Sequence, residues 1–156
     1  MTQTLRPADS GILFLDDDSG RQAAFRELVP FARIVTTAAE AVAALKQIPQ
    51  SGHSWHHVFL DHDLGGEVFV DSSRTDCGME VVRWILIHRP AIQTLTVHSY
   101  NHEAVPDMVR LLRSGGYACD PAPFGTNVFH DRILLSLASR SRFNRTSFHA
   151  QHSPNR

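Results

Sequence analysis

At 156 residues the chain fits one domain with a sizeable core, and a second domain is not expected. Its hydrophobic fraction of 42% and charged fraction of 20% are ordinary for a water-soluble fold, and its apolar runs stop well short of the roughly 18 residues of a membrane span. A net charge of −1 supplies no global positive field, which leaves RNA or DNA binding neither favoured nor excluded, although ten histidines add positive charge below about pH 6.5.

Residues 1–10 lack the apolar core of a signal peptide and read as an N-terminal tail, so a cytoplasmic location is expected. Cys77 and Cys119 can form one bridge at most and are expected to be packing thiols in a reducing compartment.

The first apolar run, Gly11–Leu15, reads as a strand that empties into Asp16-Asp17-Asp18. A helix with Phe25, Leu28 and Val29 on one stripe follows, Arg21 lies near its start, and Pro30 falls where it should stop. Ala32–Val35 is the second strand; Thr36 or Thr37 then caps a helix bearing Ala38, Val42, Leu45 and Ile48, with Glu40 placed for a capping box and Pro49 beyond its end.

The third strand, His57–Leu60, runs into Asp61-His62-Asp63-Leu64-Gly65-Gly66. Residues 65–76 are long for a loop and set Glu67, Asp71, Ser72, Ser73, Arg74 and Asp76 around Val68-Phe69-Val70, so a small hairpin over the strand ends is expected. The third helix carries Met79, Val82, Ile85 and Leu86 and should stop before Pro90; the fourth strand, Ile92–Val97, leads into His98-Ser99-Tyr100-Asn101. Val105, Met108, Val109 and Leu112 mark the fourth helix, which Gly115-Gly116 can end. Tyr117–Cys119 is the fifth strand, and Val128, Phe129, Ile133, Leu134 and Leu137 mark the fifth helix. Residues 139–156 hold Arg140, Arg142, Arg145 and Arg156 without sustained period and read as a mobile tail able to touch RNA.

Unbroken apolar strands alternating with amphipathic helices give an α/β fold, a parallel sheet covered by helices on both faces. Right-handed crossovers favour the flavodoxin-like order 2-1-3-4-5 over residues 11–138, with the ligand crevice at the carboxyl ends of strands one and three.

Three polar clusters therefore share one rim. Asp16, Asp17 and Asp61 within about 4 Å would repel by roughly a few kcal/mol per pair at an effective dielectric near 20, so a positive partner is needed. A hard divalent cation, Mg²⁺ or Mn²⁺, suits such oxygen ligands; solvated turns or caps are the bland alternative. Asp63 would support the metal shell or orient His62. His62 and His98 can supply a general base and a general acid, or each can make a structural hydrogen bond at a strand end. Arg21 can clamp a phosphate or pair with the aspartates. Ser99 and Asn101 can donate to phosphate oxygens, while Asn101 can instead cap the fourth helix. Gly65 and Gly66 permit close backbone approach to a ligand or simply a tight turn. Tyr100, His102 and Phe124 are weaker pocket candidates, and Arg74 and Asp71 have no assigned place.

The layout resembles the receiver domain of two-component signalling, with Ser99 where receivers place a hydroxyl residue. Pro121-Ala122-Pro123-Phe124 is similar to the receiver Lys-Pro-Phe segment but puts Ala122 at the lysine position; Lys46 is the chain's lone lysine. Four pieces bring the chain nearer to the cyclic-phosphate-processing receiver domains of bacteria and their phages. They are Phe14-Leu15-Asp16-Asp17 with Arg21, Phe59-Leu60-Asp61-His62-Asp63-Leu64-Gly65-Gly66, Gly78 at the third helix, and Val97-His98-Ser99 with Asn101. His102 and Asp107 stand where that family tends to have a proline and a second asparagine. The resemblance implies processing of 2′,3′-cyclic phosphate ends of RNA or of cyclic nucleotides, in RNA repair or phage conflict. It leaves open whether Asp61 is metal ligand or nucleophile. A degenerate receiver that binds a cyclic nucleotide or a partner protein is the alternative, with partner or homodimer docking through the fourth and fifth helices.

Overall fold

In the computed structural model, which describes residues 11–49 and 54–150, the apolar runs form β1 (Ile12–Leu15), β2 (Arg33–Val35), β3 (Trp55–Leu60), β4 (Ile92–Val97) and β5 (Cys119–Pro121). They pair in parallel in the order β2-β1-β3-β4-β5. Between and after them run α1 (Ser19–Leu28), α2 (Ala38–Leu45), α3 (Gly78–His88), α4 (Ala104–Ser114) and α5 (Asn127–Ala150).

Strand alternation divides the core. Leu13 and Leu15 of β1 face a cluster completed by α2, α3 and α4, whereas Ile12 and Phe14 face one completed by Phe25 of α1 and Phe129 and Ile133 of α5. The helices thus cover both faces, three on one and two on the other. Thr37 provides the α2 capping box, its hydroxyl accepting from Glu40 N while the Glu40 carboxylate accepts from Thr37 N.

Three differences from the sequence reading have local causes. β5 lies two residues further on, at Cys119–Pro121, because its register sets Leu95 against Cys119 and Val97 against Pro121; an edge strand tolerates the proline's missing N–H. Val128 and Leu134 are exposed, and α5 turns Phe129, Ile133 and Ser136 inward instead. The apolar stripe of α5 stops at Leu137, but its backbone stays helical to Ala150, through residues read as tail. The N-terminal tail and residues 151–156 lie outside the described residues. Among the described residues no helix is long and apolar enough to cross a membrane.

Candidate functional site

The sheet ladder extends one residue past each strand and so fixes the rim. Asp16 N donates to Val35 O (3.1 Å), Asp61 N to Leu15 O (3.1 Å) and His98 N to Leu60 O (2.9 Å). Asp16, Asp61 and His98 are thereby held side by side at the point where strand order reverses, the usual ligand position in open α/β sheets. A cleft of about 400 Å³ opens there, walled by Asp17, Asp18, Arg21, Asp61, His98 and Ser99 and, from the loops, by Asp63, Gly66, Glu67, Val68 and Tyr100.

Asp16 is fully buried and saturated. One oxygen accepts from Asp18 N (2.9 Å) and an Arg21 Nη2 (2.9 Å); the other accepts from Arg21 Nε (2.7 Å) and His98 Nε2 (3.1 Å). Burial pushes its carboxyl upward, but the hydrogen bonds from His98 and Arg21 prevail and hold it below the usual aspartate range. Asp61 has fewer donors: His62 N at 2.8 Å, Arg21 Nη2 at 3.3 Å and the Ser99 hydroxyl. Burial drives its carboxyl above the usual range, and His98, Ser99 and Arg21 offset this only in part against the added push of Asp16. Asp17 accepts from Gly66 N (2.6 Å), and Asp18 caps α1 by accepting from Arg21 N (2.8 Å).

Ligand oxygens of Asp16, Asp17 and Asp61 lie within 4.8 Å of one another. An all-carboxylate donor set of this spread fits a hard divalent cation. Asp17 and Asp61 retain acceptor capacity for it, whereas Asp16 is occupied by its donors.

His98 stacks on Phe14 with ring centroids 4.7 Å apart. A carboxylate only accepts, so the Nε2 proton points at Asp16; Nδ1 is buried with no hydrogen-bond partner among the described residues. His98 thus stands in the cleft wall with its Nε2–H committed to Asp16.

His62 stands elsewhere. It is fully buried, its Nδ1 bonded to Asp63 (2.8 Å) and its Nε2 to Ser72 Oγ (3.0 Å). Burial alone would lower its pKa, but bonding to Cys77 and Asp63 raises it. Asp63 in turn accepts from His62, Asn101 Nδ2 (2.9 Å), Phe69 N (2.7 Å) and Val70 N (3.0 Å), so it is a loop anchor at the cleft edge and not a member of the carboxylate group. These two bonds take the N–H groups a hairpin ladder would use, and residues 64–77 contain no strand; Phe69 adopts φ +52°, a strained value for a non-glycine residue. Asn101 takes the capping option: its Oδ1 accepts from Glu103 N and Ala104 N at the start of α4.

Gly65 and Gly66 turn the loop at φ +80° and +76°, which brings Gly66 N onto Asp17. Tyr100 lines the cleft with its hydroxyl bonded to Phe124 O, His102 packs edge-on against Phe69, and Phe124 lies in the aromatic core. Arg74 spans Glu67 and Asp76 on the surface, and Asp71 accepts from Ser73 N; neither enters the cleft. Arg83, to which sequence reasoning assigned no role, ties the loop to α3 by donating to Ser72 O (2.6 Å) and Arg74 O (2.7 Å).

Residues 12–114 match the family described as the cyclic-phosphate processing receiver domain. The chain belongs to that family. None of the curated proteins matches it. Among solved structures, this receiver-like domain is similar to a response regulator from Colwellia psychrerythraea, at 15% identity and a TM-score of 0.58 over 84% of this chain and 96% of that one. It is also similar to a structure titled adenylate cyclase from Rhodopirellula baltica, at 14% identity and a TM-score of 0.51 over 91% and 97% of the two chains. At these identities the likeness establishes the receiver fold alone.

Proposed function

We propose that the cleft at the ends of β1 and β3 hydrolyses cyclic phosphodiesters with the help of a divalent cation, Mg²⁺ or Mn²⁺. The carrying observation is the approach of Asp16, Asp17 and Asp61 within 4.8 Å in a cleft whose walls hold five acids and one arginine. Such walls repel a phosphate unless a cation is present. When bound, the cation would neutralise the carboxylates and polarise a phosphoryl oxygen.

The chain's residues divide the remaining work. Asp16, Asp17 and Asp61 hold the cation, and until it enters Arg21 and His98 keep Asp16 ionised. Asp61 also lines the cleft, and the carboxylate oxygen that the cation leaves free can orient an attacking water. Ser99 turns its hydroxyl from Asp61 to a phosphate oxygen, and the backbone at Gly66 keeps Asp17 turned inward. The family's description supports a cyclic phosphate as the substrate class; 2′,3′-cyclic phosphate ends of RNA or free cyclic nucleotides, met in the cytoplasm in RNA repair or phage conflict, are the substrates this reading assigns. The test is incubation of the protein with 2′,3′-cyclic AMP and cyclic-ended RNA in Mg²⁺ or Mn²⁺. Conversion to monoesters that Asp17→Asn abolishes is expected; intact substrates over a folded protein would contradict the reading.

A second reading is a non-catalytic module that binds a cyclic nucleotide in the same cleft. The withdrawal of His62 favours it, since that imidazole is bonded at both nitrogens, and His98 in the cleft wall has its Nε2–H committed to Asp16. Tight binding of 2′,3′-cyclic AMP without turnover would select this reading.

A further inference from the structure

Arg21 occupies the place a cation would need at Asp16. Its guanidinium grips that carboxylate with Nε at 2.7 Å and Nη2 at 2.9 Å, and the same Nη2 reaches Asp61 at 3.3 Å. A carboxylate offers about four acceptor positions, and Asp18 N and His98 Nε2 take the two at Asp16 that Arg21 leaves. Asp16 can therefore accept a cation only if a donor departs. Asp18 N is backbone at the start of α1 and His98 is packed on Phe14; Arg21 is the donor on a long side chain, 31% exposed and already in the cleft wall.

We propose that Arg21 and the divalent cation exchange at Asp16, so that cation entry releases the guanidinium to bind the phosphate of the incoming substrate. The inference rests on the cation reading above and assigns Arg21 two successive partners. Before the cation enters, Arg21 keeps the cleft from carrying an uncompensated cluster of negative charge; afterwards it is a phosphate-binding residue.

The test uses the full chain with Mg²⁺ or Mn²⁺ alone and then with inorganic phosphate. In the wild-type protein, Mg²⁺ should shift the Arg21 Nε–H resonance and speed its solvent exchange; an unmoved signal at saturating Mg²⁺ would overturn the proposal. Arg21→Gln should bind Mn²⁺ at least tenfold more tightly, yet bind inorganic phosphate in the presence of Mn²⁺ at least tenfold more weakly. Equal weakening of both would overturn the exchange and leave Arg21 a structural ion pair. If Arg21→Gln does not fold, the wild-type resonance decides alone. Wild-type protein without Asp17-dependent Mn²⁺ binding would overturn the cation reading itself, an outcome distinguishable from failure of the exchange.

Discussion

Asp61 and Asp63 stand two positions apart in one short segment, yet the fold gives them opposite environments. Asp63 accepts from four protein donors, and although burial pushes its carboxyl up, Asn101, His62 and the Phe69 and Val70 amides hold it below the usual range. Asp61 is buried beside a second acid with fewer donors, and its carboxyl lies above that range. A carboxylate that the protein satisfies holds a loop in place; one that it leaves short of donors has capacity for a cation, a proton or a substrate. The same contrast separates the two imidazoles, His62 among loop anchors and His98 beside the cleft.

The largest effect should come from the backbone contact that both regions share. A Cβ at Gly78 would lie 1.9 Å from Asp61 O and 2.8 Å from His62 Cα, so Gly78→Ala should cost about 3 kcal/mol or more in urea unfolding. Retention of wild-type stability would break the account of how α3 fixes both residues. Next, Asp63→Ala removes four acceptor contacts and leaves His62 buried without its Nδ1 partner, for a loss of roughly 2–4 kcal/mol. Proteolysis should then open the chain between residues 64 and 76 first.

Asp61→Asn sharpens the comparison by moving stability the other way. It relieves repulsion from Asp16 while keeping an acceptor for His62 N, and a gain of ~1 kcal/mol would raise Tm by about 2–4 °C. The smallest effect is the pH dependence of that gain. Because the folded pKa of Asp61 is raised, its charged form costs stability above that pKa, and the cost fades as pH falls through it towards the unfolded value near 3.8. The Tm difference between Asp61→Asn and wild type should therefore shrink on acidification. Asp16 and Asp63, with lowered pKa values, contribute stability above about pH 3.8 that is lost only as pH falls through their folded values.

The sheet order and the residues at each strand end are legible in the sequence, because apolar runs, helix stripes and prolines punctuate it regularly and each polar cluster directly follows an apolar run. What pattern alone left open is the direction of individual side chains past the strand ends. Strand alternation carries part of that answer. Leu60 faces the core side that also holds Leu64, Val70 and Cys77, and His62, two residues on, bonds within the loop those residues anchor. His98 follows Val97 and turns to the opposite side, onto Phe14. The path of residues 64–77 is less accessible, since it depends on one carboxylate capturing two amides and on Arg83 reaching back from α3. No hydrophobic period encodes such bonds.

The central claim is that function lies with the carboxylates short of donors and not with the satisfied pair beneath the loop. Turnover of 2′,3′-cyclic AMP in Mg²⁺ or Mn²⁺, compared between Asp61→Asn and His62→Gln, tests it most directly. Asp61→Asn should lose about 10²–10⁴-fold in rate while remaining folded, and His62→Gln should keep its rate within a few-fold at a lowered Tm. A folded His62→Gln protein that loses turnover, beside an active Asp61→Asn, would contradict the account.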